Sequence, residues 1–227
     1  MGAIYAVILC DVVASREHSK FRHVRDSSLK RLSSRHLNDG WIRAPYAVTA
    51  WDEFQVLLQE VFFLPNVFWS LVKEFYPLRL RVGIGVGDVE IDLGSVTPLN
   101  ESATGEAFIR ARNALDTIKK RKDQKYHPSS QACTGDRMTD LFTNTSLHLL
   151  DALTARATSS QWEIILEYEK LGQQDLVAEN LGKADSTISR SLKRSYYTQM
   201  AEAIDAMTEY LQLRYPAQQG AKMRNCT

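Results

Sequence analysis

The pattern of apolar and polar residues predicts two kinds of β-strand. The run from Ala3 to Cys10 is continuously apolar and rich in β-branched residues, which is typical of a strand buried on both faces of a sheet. The segment from Leu78 to Val89 alternates aliphatic residues with glycines, so one strand face has no side chains: Leu80, Val82, Ile84 and Val86 alternate with Gly83, Gly85 and Gly87. We expect a ligand or another backbone on that bare face.

Helical spacing of apolar residues separates these strands. Predicted helices span Arg16 to Asn38, Val61 to Tyr76 and Glu106 to Arg121. A β-hairpin bends at Trp51 to Glu53, and a last strand is expected between Tyr126 and Cys133. The order strand, helix, hairpin, helix, strand, helix, strand predicts an α/β fold of the α+β sandwich type, ferredoxin-like or palm-type.

The strongest local motif lies in the C-terminal third, which we predict to be an all-α helix-turn-helix domain. Ala178 lies where two helices would cross closely, Gly182 follows at the turn, and Ile188 lies where a second helix would fill the core. The second helix would expose six polar or basic residues as DNA-binding candidates: Ser186, Thr187, Ser189, Arg190, Lys193 and Arg194.

Two alternatives remain open for this region. A structural three-helix bundle would carry the same basic residues on a solvated surface, and the segment from Thr158 to Met200 has five basic residues against six acidic ones. The following helix repeats apolar residues at spacings of three and four: Tyr197, Met200, Ile204, Met207 and Leu211. That stripe either covers the domain's own core or forms a homodimer seam.

These patterns predict a division of the chain. Residues 1–135 form the α/β domain, 136–157 a connecting segment, 158–215 the helix-turn-helix domain with its C-terminal helix, and 216–227 a flexible tail.

Composition excludes several classes of function. The formal net charge is +1 and 24% of residues are charged, so global charge indicates neither a nucleic acid nor a membrane partner. Cys10, Cys133 and Cys226 lack CxxC spacing, which argues against a disulfide framework and a zinc site. No apolar run approaches the ~20 residues of a membrane span, and no secretory signal is visible, so we expect a cytoplasmic protein.

Three acidic residues carry the chemistry that the sequence suggests. Asp11 ends the first strand, and Asp52 and Glu53 occupy the bend of the hairpin, so carboxylates from separate strands could converge to bind Mg²⁺ or Mn²⁺. Backbone N–H groups from Val12 to Ser15 could hold phosphates, and Arg16 could neutralise them. We therefore name Asp11, Asp52 and Glu53 as metal ligands, and Ser15 and Arg16 as nucleotide-binding residues. Exposed turn acids and a helix cap are the alternatives.

The chain resembles the SatD family in a set of short motifs. They are Asp11 with Ser15-Arg16, the hairpin Asp52-Glu53-Phe54-Gln55, Arg81-Val82-Gly83-Ile84-Gly85, Gly105-Glu106-Ala107-Phe108 leading to Ala111-Arg112, and the C-terminal helix-turn-helix. The N-terminal part in turn looks like the palm of class III nucleotidyl cyclases and GGDEF diguanylate cyclases.

The resemblance implies a two-metal site that holds a nucleotide triphosphate, with Asp11 and Asp52 as ligands and Glu53 as the alternative hairpin ligand. Arg112 lies one residue from the position of the cyclase transition-state arginine, and we name it as nucleotide-binding. Ala50 and Trp51 replace cyclase glycines, which favours binding over catalysis. The sequence thus predicts a DNA-binding regulator with a nucleotide- or metal-binding palm-like domain. The alternative is a Mg²⁺- or Mn²⁺-dependent nucleotidyl cyclase or nucleotidyltransferase.

Overall fold

A computed structural model describes residues 3–15, 21–91, 103–121 and 129–217. A mixed sheet of five strands has the order β2-β3-β1-β4-β7, and β5 and β6 form a separate pair. The strands are β1 (Ile4–Val12), β2 (Ala47–Val48), β3 (Glu53–Leu57), β4 (Leu80–Asp88), β5 (Glu90–Ile91), β6 (Ala103–Thr104) and β7 (Ser130–Cys133).

Eight helices are seen in the described part of the chain. They are α1 (Phe21–Asn38), α2 (Leu64–Phe75), α3 (Glu106–Lys120), α4 (Arg137–Arg156), α5 (Ser159–Leu171), α6 (Gln174–Leu181), α7 (Asp185–Arg194) and α8 (Tyr197–Arg214). A short 3-10 helix, Val61–Phe63, leads into α2. The predicted mixed α/β class is confirmed.

The strand pairing places β1 at the centre of the sheet. It is antiparallel to both β3 and β4, β2 is antiparallel to β3, and only β7 runs parallel to its neighbour, β4. With α1 after β1 and α2 after β3, the first four strands follow the ferredoxin-like βαββαβ order. This arrangement brings the end of β1 and the hairpin between β2 and β3 to the same end of the sheet.

Helix α3 covers one face of the sheet, and the glycines of β4 allow it to approach closely. A Cβ added at Gly85 would lie 2.0 Å from the carbonyl oxygen of Ala107, and one at Gly83 would lie 2.4 Å from that of Ala111. The bare strand face predicted from the sequence therefore contacts the backbone of a helix and not a ligand.

The other face of the sheet carries the main core, which is shared by most of the chain. One cluster of buried residues extends from Ala6 in β1 through α2 to Leu211 in α8. The α8 stripe is part of it: Met200, Ile204, Met207 and Leu211 are all buried within this chain. Of the two interpretations of that stripe, the structure therefore supports intramolecular packing, although α8 contacts α2 as well as α7.

Residues 136–157, predicted to be a connecting segment, consist almost entirely of α4. This helix contributes Leu147 and Leu150 to the main core and packs against β7 and α8. The same core contains residues that precede this segment and residues that follow it. The domain boundaries at 135 and 158 therefore remain predictions. Most of the predicted tail, residues 218–227, lies outside the described residues.

Among the described helices, we find none whose length and apolar character would allow it to cross a membrane.

Candidate functional site

The candidate site forms where three neighbouring strands place charged residues side by side. Glu53 of β3 and Arg81 of β4 are each the direct partner of Asp11 on β1. Because directly opposite residues project to the same face of a sheet, all three side chains lie on the face covered by α3. Strand register alone thus creates a row of acid, acid and base.

Helix α3 adds two more basic side chains to this row. The Nζ of Lys119 lies 2.8 Å from Oδ1 of Asp11 and 2.7 Å from Oε1 of Glu53. Arg81 contacts the other oxygen of Asp11 at 2.8 Å, and Arg112 contacts the other oxygen of Glu53 at 2.9 Å. Each carboxylate oxygen therefore has a cationic partner, and Lys119 is shared by the two carboxylates. We call these five residues, Asp11, Glu53, Arg81, Arg112 and Lys119, the charge cluster.

Partial burial and ion pairing set the ionisation of the cluster. The Asp11 and Glu53 side chains are only 6% and 12% exposed. Burial acts to raise the pKa of Glu53, but the hydrogen bonds from Lys119 and Arg112 outweigh it and the pKa is lowered. Burial acts to lower the pKa of Lys119, but hydrogen bonds and charges from Asp11 and Glu53 raise it. Both groups are therefore held in their charged forms.

The charge cluster does not fit a divalent metal ion. It contains two carboxylates and three cationic groups, and the ammonium of Lys119 lies between the carboxylates, where a shared metal would lie. Mg²⁺ needs carboxylate oxygens that are free to bind it, and the three cations would repel it. Nor do the described residues contain a group of three or more metal-ligating side chains.

The other predicted metal-binding and nucleotide-binding groups are not part of the charge cluster. Asp52 lies in the bend just before β3, and its carboxylate accepts a hydrogen bond from Ser15 Oγ at 3.3 Å. The N–H groups of Val12 and Val13 already donate to the backbone carbonyls of Asp52 and Arg79, at 3.0 and 2.8 Å. They are not free to hold a phosphate. Arg16 lies outside the described residues.

Sequence reasoning missed Lys119 and Arg81. Lys119 lies in the basic last turn of α3, a position that is usually exposed to solvent, and yet it joins two buried acids. It lies seven residues after Arg112, two helical turns along the same face, and that spacing was a usable signal. Arg81 has the same strand parity as Gly83, which places it on the face of α3.

A third missed residue, Arg25, holds the tip of the hairpin. This buried arginine of α1 donates to the carbonyl oxygens of Ala50, at 3.4 Å, and of Trp51. The Trp51 indole is 49% exposed, and the Arg22 guanidinium lies 4.6 Å from its ring centre. Trp51 therefore packs against α1 at the surface instead of projecting into the charge cluster.

The C-terminal unit contains the second group of candidate residues. Helix α5 begins with a capping box in which the Thr158 side chain accepts from Gln161 N. Helix α6 ends at Gly182, whose φ of 61° is left-handed and suits glycine. After this turn, Ile188 of α7 is 0% exposed and Ala178 of α6 is 4% exposed. The sequence register of small residue, turn glycine and aliphatic plug thus corresponds to two packed helices.

Helix α7 has one buried face and one polar, exposed face. Ile188 and Leu192 are buried, whereas the predicted DNA-contacting residues are all exposed: Ser186, Thr187, Ser189, Arg190, Lys193 and Arg194. None of the three basic residues forms an ion pair with a described residue, in contrast to Lys183, which pairs with Glu163 of α5. The exposed side chains of α7 are thus free to contact another molecule.

The fold and its two sites define a mixed α/β protein in which a sheet with an internal charge cluster shares its core with a C-terminal helical unit. The chain belongs to the SatD family, whose family model matches residues 5–215. No curated protein matches the chain.

Proposed function

We propose that this SatD-family protein is a cytoplasmic DNA-binding regulator in which α6 and α7 act as a helix-turn-helix. The observation that carries the proposal is the polar, basic face of α7, which is exposed directly opposite the buried Ile188. A recognition helix needs both faces, one to pack against its neighbour and one to enter the major groove.

The dimensions and chemistry of α7 suit that role. Its ten residues span about 15 Å, and the groove is about 12 Å wide. The hydroxyl groups of Ser186 and Thr187 near its N-terminus would reach base edges, where recognition helices make such contacts. Lys193 and Arg194 in its last turn would contact phosphates.

The acidic residues of this unit lie mainly on other helices. Glu163 pairs with Lys183, and Glu167 both pairs with Lys170 at 2.8 Å and accepts from Asn180 at 2.8 Å. Glu169 pairs with Lys73 of α2 at 2.6 Å. Lys170 and Lys183 are thus used in ion pairs, whereas the basic residues of α7 form none with the described residues.

A homodimer that contacts two DNA half-sites would need a surface other than the α8 stripe, because that stripe is buried within one chain. Separating monomer from dimer by light scattering, with and without a DNA duplex, tests whether two copies assemble on one site.

Fluorescence anisotropy with labelled duplex DNA tests the proposal directly. We expect binding whose affinity falls steeply as salt rises, because phosphate contacts release counterions. Absence of binding across a set of genomic fragments, or binding that is indifferent to salt, contradicts it.

The charge cluster favours this regulator over a metal-dependent nucleotidyl cyclase. Two of the three carboxylates that would bind the metals, Asp11 and Glu53, are paired with Lys119, Arg81 and Arg112, and Asp52 lies outside the charge cluster. Incubation with each nucleoside triphosphate and Mn²⁺ should therefore release no pyrophosphate. Pyrophosphate release that is lost in Asp11→Asn would instead support the cyclase.

A further inference from the structure

A cavity of about 240 Å³ lies on the opposite face of the sheet from the charge cluster. Its walls come from the end of α2 and strand β4 on one side, and from α4 and α5 on the other. Phe68, Leu80 and Val82 supply apolar walls. Arg79, Ser129, Asp151 and Thr154 add polar groups, and a cavity that combines apolar walls with polar groups has the character of a small-molecule site.

Stacked aromatic rings form part of the wall. Tyr76 and Trp162 both line the cavity, and their rings lie 4.7 Å apart at 23°. The indole N–H of Trp162 donates to the carbonyl oxygen of Thr154 at 3.3 Å, so it needs no ligand. These rings offer flat apolar surface to a planar molecule.

Asp151 contributes a buried carboxyl group to the cavity wall, and its two oxygens differ in the hydrogen bonds that they accept. Asp151 is 6% exposed, and its Oδ2 accepts from the N–H groups of Ser129 and Ser130, both at 2.9 Å, and from Ser130 Oγ at 2.7 Å. Within the described part of the chain, Oδ1 accepts from no donor. Because Asp151 lines the cavity, a ligand donor there could use this oxygen.

The surrounding charges select the kind of donor. Burial raises the pKa of Asp151 despite its hydrogen bonds, so the carboxyl group gains a proton more readily than an exposed aspartate does. The exposed Arg79 at the edge of the cavity disfavours a cationic ligand. An amino group beside a ring nitrogen matches both states of the acid, because it donates to the carboxylate and its ring nitrogen accepts from the protonated form.

We propose that this cavity binds a small, uncharged, planar nitrogen heterocycle of the aminopurine or aminopyrimidine class, with its amino group donating to Oδ1 of Asp151. The ring lies among the apolar and aromatic side chains that line the cavity. The stacked Tyr76 and Trp162 rings favour a flat ligand over a branched aliphatic one.

The position of the cavity links it to the helices of the C-terminal unit. Trp162 belongs to α5, which contacts both α6 and α7. A ligand that contacts Trp162 would change DNA affinity if α5 is positioned differently in the free and DNA-bound protein, a consequence that rests on the proposed DNA-binding function.

Isothermal titration calorimetry of the full chain with adenine, guanine and cytosine tests the site without DNA. We expect at least one of these bases to bind, and unsubstituted purine, which lacks the amino group, to bind at least about tenfold more weakly than adenine does. No binding by any of the three bases, or equal binding of adenine and purine, overturns the proposal.

Two variants locate the binding within the cavity. In Asp151→Asn, the donors of Ser129 and Ser130 need an acceptor, so the amide oxygen takes the position of Oδ2. The amide NH₂ then takes the position of Oδ1 and faces the ligand's amino group, donor against donor. Ligand affinity should therefore fall at least about tenfold. Ala155→Phe fills the cavity from an exposed position at its edge and should abolish binding, whereas Leu149→Phe, on an exposed position of the same helix, should not. Binding that survives both cavity variants overturns the assignment.

Anisotropy with duplex DNA, with and without adenine, is a separate measurement. A shift in DNA affinity on adding adenine that is absent in Ala155→Phe supports the link to α5. If the protein binds adenine and DNA but adenine does not change its DNA affinity, the link to α5 alone is overturned. If the protein binds adenine but no DNA, the proposed function is overturned and the cavity site is unaffected.

Discussion

Asp11 and Glu53 lie directly opposite each other on antiparallel strands, and the two carboxylates share the ammonium group of Lys119. Two partly buried like charges at this separation would repel without a cation between them. Because the cation is supplied by α3, the pair becomes an attachment point between that helix and the sheet.

Replacing Lys119 with alanine should therefore destabilise the protein. Glu53 and Asp11 keep their arginines but lose the shared partner, and Lys119 is itself only 32% exposed, so we expect the unfolding free energy to fall by about 1–3 kcal/mol. Urea denaturation measures the difference. Lys120→Ala is the matched control, because this neighbouring side chain is exposed and should change stability little. Equal effects of the two substitutions would contradict a structural role for Lys119.

The wild-type protein should not be stabilised by divalent cations at this site. The positive charges of the cluster oppose the binding of a metal ion, so the melting temperature should be the same in MgCl₂, MnCl₂ and NaCl at equal ionic strength. A rise in MnCl₂ that disappears in Asp11→Asn would show that the ion displaces Lys119.

DNA binding should depend on the basic residues of α7. Arg190→Ala or Lys193→Ala should each weaken binding and, where the residue contacts a phosphate, reduce the slope of log affinity against log salt by about 1. Lys120→Ala, on a helix outside the C-terminal unit, should leave both the affinity and the slope unchanged. The idea fails if all three variants bind as the wild type does.

Methyl groups added along β4 should be tolerated in a fixed order. The nearest atom to an added Cβ is at 2.0 Å for Gly85, 2.4 Å for Gly83 and 3.0 Å for Gly87, in each case a backbone atom of α3. We expect Gly85→Ala to cost about 3 kcal/mol or more and Gly87→Ala to cost least, about 1 kcal/mol. Thermal unfolding of the three variants gives the order, and a Gly85→Ala protein as stable as Gly87→Ala would refute close packing of α3 there.

Acidification should destabilise the protein through His36. Burial, with the positive charges of Arg35 and Lys73, lowers the pKa of this histidine from 6.5 to about 4. The unfolded chain therefore binds a proton below pH 6.5 that the folded chain does not accept until about pH 4. The unfolding free energy should fall across that window, by up to about 1.4 kcal/mol per pH unit.

Comparing the wild type with His36→Asn isolates this effect. The pKa of the half-buried His148 is also lowered by burial, and its contribution is common to both proteins. Denaturant titrations at several pH values should show a shallower pH dependence in the variant. Identical slopes would mean that His36 gains its proton as easily when folded as when unfolded.

Regular apolar spacing made the main elements predictable. The strand ending near Asp11, the glycine-interrupted strand and the helix after Gly105 are all found close to their predicted bounds. The two-residue strands β5 and β6 were not predicted, because such short segments carry no periodic signal.

The candidate site was only partly predictable, because it depends on which face each side chain occupies. Asp52 and Glu53 are equivalent in a list of hairpin acids, yet only Glu53 belongs to β3 and pairs directly with Asp11. Choosing between them requires the register of β3 against β1. Recognising Lys119 as their partner further requires knowing that α3 covers that face of the sheet, and one sequence does not contain this information.

The burial of the α8 stripe has a consequence for how the protein is made. Met200, Ile204 and their neighbours complete a core whose other walls, α2 among them, are synthesised much earlier. Until α8 has left the ribosome, the apolar surface of α2 that it covers stays open to solvent. Folding of this core is therefore completed only after α8 has been synthesised, and a nascent chain that stops before α8 presents a surface suited to chaperones.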